Sequence, residues 1–280
     1  IDSVTSTDGG VYGVPFTGNT WFMYYDTSVF SEDDVKSLDT MLEKGKVAFP
    51  LTDSWYIAAF YYANGCTIFG ESGMDADAGF DFGGDKAVAV TKYLVNLYNN
   101  ANFSVDADGS GLSGLREGTV NAIFSGTWNA EAVKEALGDN FGATQLPTIT
   151  IDGEAKQMRS FAGSKAIGVN PNCQNMQAAI ALAVYLGSAE AQKAHYEMRG
   201  IVPTSNALSS DATVSADIVA MAQANTIANT SVLQATLPEM GGYWTPSENM
   251  GKAIVSGEVT LDNAAEKTEA FNNALNNASM

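Results

Sequence analysis

"AIFSGTWNAEAVKEALG", residues 122–138, sets a short apolar run, a glycine, a tryptophan and an amphipathic helix in immediate succession. A strand that ends in a tight turn and feeds a helix is the repeating corner of open α/β sheets, and the carboxyl ends of such strands border the binding crevice. Trp128 stands at that corner and is expected to face a ligand rather than a core. The same pattern occurs upstream, where "KVAFPL" (46–51) reads as a strand and "DSWYIAAFYYANG" (53–65) as a corner followed by an aromatic-rich helix.

Outward from these two units, "GVYGVPFTGNTWFMYYD" gives two strand-like runs split by "TGN". In "FSEDDVKSLDTMLEKG", Ser31 with Asp34 three residues on resembles a capping box, and Gly45 is the stop. "DKAVAVTKYLVNLYNN" places Val88, Val90, Tyr93, Leu94, Leu97 and Tyr98 at one-face helical spacing, and "SGLSGLREGT" reads as a short helix leading into the 122–125 strand. "FGATQLP" and "SFAGSKAIGVNP" read as extended segments, and "NMQAAIALAVYLGSAEAQKAHYEMRG" as two helices broken at Gly187. The rest is mostly helical. The acidic, glycine-rich "GESGMDADAGFDFGGD" is expected to be a solvated loop. Strands alternating with helices, without an internal repeat, predict an α/β fold.

Composition narrows the function classes. At 280 residues and 45% hydrophobic, the chain can bury one large or two modest cores. A net charge of −18 repels phosphate backbones and anionic lipid surfaces, so nucleic acid is not an expected partner. No run approaches the ~18 to 20 apolar residues that span a bilayer. Cys66 and Cys173 lack the close spacing of a redox pair or zinc site and are expected to be two free or buried thiols. His195 is the only histidine, in a helical stretch where a surface role is expected, so catalytic triads and histidine-rich metal sites have little raw material. No catalytic group, metal ion or cofactor is expected.

The order "VYGVPF", "MYYDTSVF", "LREGTVNAIFSGTW", "MRGIVPTSNA" and "PEMGGYW…AIVSGEVTLDNAAEKTEAF" resembles the family 1 extracellular solute-binding proteins of ABC importers, in the maltose/maltodextrin-binding branch. The tract around Gly118, Ala122, Gly126 and Trp128 is the most specific part, with Leu115 where the family often has phenylalanine. The resemblance implies a two-lobed periplasmic-binding-protein type II clamp in α/β architecture. Residues 22–162 and 213–280 would form a complete second lobe, and 1–18 with 166–210 a partial first lobe plus hinge. It also implies that the chain lacks an N-terminal portion and binds sugar weakly by itself, with apolar faces exposed on the partial lobe. Closure of such clamps about a hinge is a known motion of periplasmic binding proteins.

A sugar ring has an apolar face of C–H groups and a belt of hydroxyls, so its site needs flat aromatics with hydrogen-bonding groups at their edges. Three of the four tryptophans fall at element boundaries: Trp55, Trp128 and Trp244. These match the family's sugar-stacking aromatics, whereas Trp21, inside "NTWFMYYD", reads as core. Asp53 matches an acidic sugar ligand and is also placed to cap the helix bearing Trp55. Asn19 stands where a glutamate is frequent, and an amide there can donate as well as accept. Glu248 reverses the charge of a family arginine and stays outside the expected site.

The expected function is capture of a maltose- or maltooligosaccharide-type sugar as the substrate-binding component of an ABC importer, with the membrane permease subunits as partners. The expected location is extracellular, anchored at the cell surface or periplasmic, with the membrane reached only through a lipid anchor outside these residues. A carbohydrate-active hydrolase would also carry aromatic platforms and needs only two suitably spaced carboxylates. A clamp for a peptide or polyamine would favour a carboxylate-rich cleft over stacked tryptophans.

Overall fold

In the computed structural model, which describes residues 2–6 and 8–278, the apolar runs become strands and the periodic segments helices. The chain runs through β1 (Val14–Asn19), β2 (Phe22–Asp26), α1 (Leu38–Lys44), β3 (Val47–Phe49), α2 (Ser54–Ala63), β4 (Thr67–Ile68), β5 (Phe80–Asp81) and α3 (Gly84–Tyr98). It continues with β6 (Phe103–Val105), α4 (Ser110–Glu117), β7 (Ala122–Ser125), α5 (Ala130–Leu137), β8 (Phe141–Thr144), β9 (Thr148–Ile151), β10 (Glu154–Gln157) and β11 (Ser160–Ile167). Then follow α6 (Met176–Leu186), α7 (Ala189–Arg199), α8 (Ala212–Ser215), α9 (Ile218–Asn229), β12 (Ser231–Leu233), α10 (Trp244–Val255) and α11 (Ala264–Ala278).

The largest sheet has the order β6-β3-β7-β2-β8. β3 runs parallel to both β6 and β7, while β2 runs antiparallel to β7 and β8. All four residues of β7 are buried, as suits a central strand covered on both faces, and this is why "AIFS" shows no alternation. Because β3, β6 and β7 are parallel, their carboxyl ends emerge on one edge, and the loops 50–53, 106–109 and 126–129 leave from it together.

A second sheet has the order β1-β11-β12. Here β11 changes neighbours along its length. Ser160–Ala162 pairs in parallel with β12, and Gly163 onward pairs antiparallel with β1. Thr20, in the two-residue link from β1 to β2, fixes this crossing by donating its hydroxyl to Phe161 O at 2.7 Å and meeting the Ser160 hydroxyl at 2.9 Å.

Under the carboxyl edge of the main sheet lies a bed of aromatic rings. Trp21 is fully buried, stacks on Tyr56 (4.7 Å between centroids, 27°) and meets Phe49 and Phe124 edge-on. Its core role is therefore as read from the sequence. Cys66 is buried and Cys173 half-buried, each a free thiol, and burial pushes the Cys66 thiol up to about 12.

Several expectations need adjustment. The two strands around "TGN" break at Thr20–Trp21 instead, so Thr17–Asn19 belongs to β1. The stretch 70–85 is not simply a solvated loop: Phe80 and Phe82 are buried, and β5 pairs with β4, because aromatics at positions 80 and 82 take the segment into the core among Phe69, Tyr243 and Phe271. His195 is half-buried rather than on the surface, with its ring 4.8 Å from that of Phe16. The 148–157 hairpin, β9 with β10, and the short β12 add to the extended segments expected, each being only three or four residues long.

α6 departs from the usual rule for its composition. It is apolar around its whole circumference, a pattern normal for a fully covered helix, yet only Ala183 is buried, while Ile180, Leu182, Val184 and Tyr185 are exposed.

Candidate functional site

The corner after β7 is built on Gly126. A methyl group there would stand 2.0 Å from Cζ3 and 2.3 Å from Cη2 of Trp128, so the glycine lets the indole fold back onto its own backbone. The Gly126 carbonyl is held from beneath by the Tyr24 hydroxyl, which donates to it at 3.0 Å. Trp128 is left 49% exposed.

Its neighbour across the edge is Trp55. The two ring centroids lie 6.0 Å apart with planes inclined by 35°, so together they form one bent aromatic surface. Trp55 is half-buried, stands edge-on to Tyr56 (5.7 Å, 89°) and donates its Nε1–H to Gln234 Oε1 at 3.2 Å.

Asp53 caps α2, its Oδ1 accepting the Trp55 backbone N–H at 2.8 Å. The capping role is therefore formed as read, and the same residue lines the cavity described next. Surrounding protein raises the Asp53 carboxyl above its ordinary value of 3.8; the Trp55 N–H opposes this and the charge of Glu248 adds to it.

Beside Trp128 the carboxyl edge encloses a cavity of about 420 Å³. Each parallel strand contributes to its wall: Asp53 follows β3, Asp106 and Asp108 follow β6, and Ser125 and Trp128 close β7. Tyr56 and Phe124 form the aromatic bed beneath. Asp106 is oriented by the start of α4, its Oδ1 accepting the Gly111 N–H at 2.8 Å. The Asn129 amide donates to the Ser125 hydroxyl at 3.0 Å. Three carboxylates and no Lys, Arg or His line this cavity, so it can accept hydrogen bonds from hydroxyls or ammonium groups and disfavours anions.

Trp55, Trp128 and Asp53 are thus brought together. Of these, Asp53 and Trp128 line the cavity and Trp55 adjoins it through Trp128, whereas Trp244 and Asn19 are not among its lining residues. Trp244 opens α10, half-buried against Phe161 and Tyr243, and Tyr243 ties that helix to the site by donating its hydroxyl to Ser54 O at 2.8 Å. One face of α10 crosses the 50–53 loop, since a methyl at Gly251 would stand 2.3 Å from Leu51 O. Glu248, a turn after Trp244, is the charge felt by Asp53 and is itself paired with Lys252. Asn19 ends β1 opposite Gly163.

Asp106, Asp108, Tyr56 and Gln234 were not singled out from the sequence. The turn residues of "DADGSG" before α4 are a signal that could have drawn attention to the two aspartates. Gln234 offers none, because its partner is 179 positions away. A larger concavity, about 1050 Å³, lies between β1 with β11 and α7 with α9; it contains none of the expected site residues and no aromatic ring.

A family model described as bacterial extracellular solute-binding protein matches residues 1–223. The maltooligosaccharide ABC transporter solute-binding lipoprotein of Streptococcus pneumoniae is 28% identical, over 94% of this chain and 65% of its own length. A structure solved with acarbose is 52% identical and superposes with a TM-score of 0.94, covering 99% of this chain and 74% of that one. The maltodextrin binding protein MalE1 from L. casei BL23, solved without ligand, is 26% identical with a TM-score of 0.90, over 98% and 73%. The fold is thus the α/β two-lobed periplasmic-binding-protein type, and the chain spans about 65% of the length of the curated relative.

Proposed function

Since the chain belongs to the bacterial extracellular solute-binding proteins, we propose that it captures a maltooligosaccharide-type sugar for an ABC importer, without chemistry on the ligand. The observation that carries this reading is the Trp55–Trp128 pair, bent by 35° beside a carboxylate-lined cavity. Successive rings of a curved glucan lay their C–H faces on the two indoles. Asp53 accepts hydroxyl protons at the edge of the pair, with Asp106 and Asp108 behind it, and Trp244 extends the aromatic surface along α10. Carboxylates suit this task because a hydroxyl hydrogen bond to a charged acceptor is stronger than one to a neutral group. The ligands named for the relatives, maltooligosaccharide and acarbose, support the same solute class.

In this reading residues 22–162 and 213–280 form one lobe, 1–18 and 166–210 belong to the other, and Asn19 lies at the crossing between them. The importer's permease subunits receive the loaded protein at the outer membrane face, in a periplasm or from a surface anchor.

A second reading has an observation in its favour. A cavity wall of three aspartates with no basic residue also fits a polyamine. Reducing-end-labelled maltotetraose and spermidine, each titrated calorimetrically and the sugar then chromatographed, separate the cases. Bound and uncleaved maltotetraose is the expected result. Cleavage would make the protein a hydrolase, and binding of spermidine alone would overturn the sugar assignment.

A further inference from the structure

Trp55 has aromatic contacts on two sides, edge-on to Tyr56 and tilted against Trp128, and such contacts favour a range of tilts more than one orientation. Direction comes from a hydrogen bond, and the one available to the Trp55 indole is with Gln234. An indole nitrogen only donates, so the Gln234 amide presents its oxygen and turns its NH2 elsewhere. The backbone that delivers this side chain is itself held. Gln234 follows β12, and its N–H donates to Ala162 O at 2.9 Å, carrying the β11–β12 ladder one residue past its last pair, Ala162 with Leu233. Gln234 is therefore anchored at the point where β11 passes from β12 to β1.

We infer that Gln234 is a positioning residue of the platform: it sets the tilt of the Trp55 ring against Trp128 from a fixed point on β11. The assignment rests on the sugar reading of that pair for its functional meaning, though not for its geometry. The Gln234 acceptor acts through Trp55 rather than on the ligand.

Two indoles 6.0 Å apart couple as excitons, so the ligand-free protein should show a split circular-dichroism band in the far ultraviolet. Trp128→Phe removes the pair and identifies the band. Gln234→Leu keeps the bulk and deletes the acceptor, while Gln234→Glu keeps an acceptor oxygen; Gln234→Met replaces the leucine variant if that one fails to fold. The leucine variant should lose most of the couplet and bind maltotetraose roughly fivefold more weakly, the weight of one net hydrogen bond. The glutamate variant should retain both. A full couplet in Gln234→Leu, or its loss in Gln234→Leu and Gln234→Glu alike, overturns the inference. A couplet that responds as expected in a parent protein that binds no maltotetraose leaves the positioning role standing and removes the sugar reading instead.

Discussion

A methyl group at Gly126 would overlap the Trp128 indole, yet the backbone there, at φ −105°, is one that alanine adopts freely. Gly126→Ala should therefore leave the fold intact and displace the ring. Trp128→Ala is expected to weaken maltooligosaccharide binding by about 2 kcal/mol, the scale of a binding hot spot. Gly126→Ala should cost a similar amount alone and nearly nothing when added to Trp128→Ala, which a double-mutant cycle by calorimetry reads directly. Additive losses would show that the glycine acts elsewhere. Trp21→Ala, by contrast, should cost about 3–5 kcal/mol of folding stability, since that ring is wholly inside. Asp53 gives a pH signature. Its folded carboxyl titrates above 3.8, chiefly through burial, so acidification removes the charged acceptor earlier than for an ordinary aspartate. Affinity should fall as the pH drops through that raised value, and Asp53→Asn should bind more weakly with a flat profile; an unchanged slope in the variant would exclude Asp53 as the acceptor.

At the scale of the element, the Ser31–Asp34 box is formed as read, with the Ser31 N–H donating to Asp34 Oδ2 at 2.9 Å and the Asp34 N–H to Ser31 Oγ at 3.3 Å. It begins a short 3-10 turn rather than the long helix, and α1 starts afresh with Ser37 as its cap. Lys44, at the far end of α1, reaches back to the same carboxylate and, with the Ser31 groups, holds Asp34 down to about 2. A carboxyl lowered in the folded state stabilises above its unfolded value near 3.8 and loses that contribution as the pH falls towards 2. Melting temperatures of the parent and Asp34→Asn should therefore differ most above pH 4 and converge near pH 2; a gap constant over that range would contradict the pairing. The long periodic helices and the buried strands were legible because burial imposes a regular spacing. β4 with β5 and β9 with β10 were not, since elements this short owe their existence to partners brought up by the rest of the fold. Of the candidate site residues, Trp55, Trp128 and Asp53 sit on corners that local pattern marks and the fold brings together, Trp244 and Asn19 lie outside the cavity lining, and Gln234 and the Asp106 wall arise only when distant loops meet on one sheet edge.

Over the whole molecule, the exposed apolar side chains on α6 form a surface that water covers poorly. The chain at micromolar concentration should bind a hydrophobic dye and associate reversibly, and Leu182→Glu with Val184→Glu should reduce both in dye fluorescence and sedimentation; dye binding unaffected by the pair would place the sticky surface elsewhere. The composition foresaw a core large enough for this architecture, and the family resemblance foresaw the clamp, but the exposure of α6 depends on what packs beside it and has no counterpart in the local pattern. β11 carries a last consequence at this scale. Its first residues are bonded to β12 and its later ones to β1, and at the changeover Gly163 has nothing within 4 Å of where a side chain would begin. Amide protons on the two halves are thus guarded by different neighbours and should exchange with solvent in two separate kinetic classes. A twist about Gly163 can open one class while the other stays closed, so that a single strand serves as the axle between two neighbours in one sheet that need not breathe together.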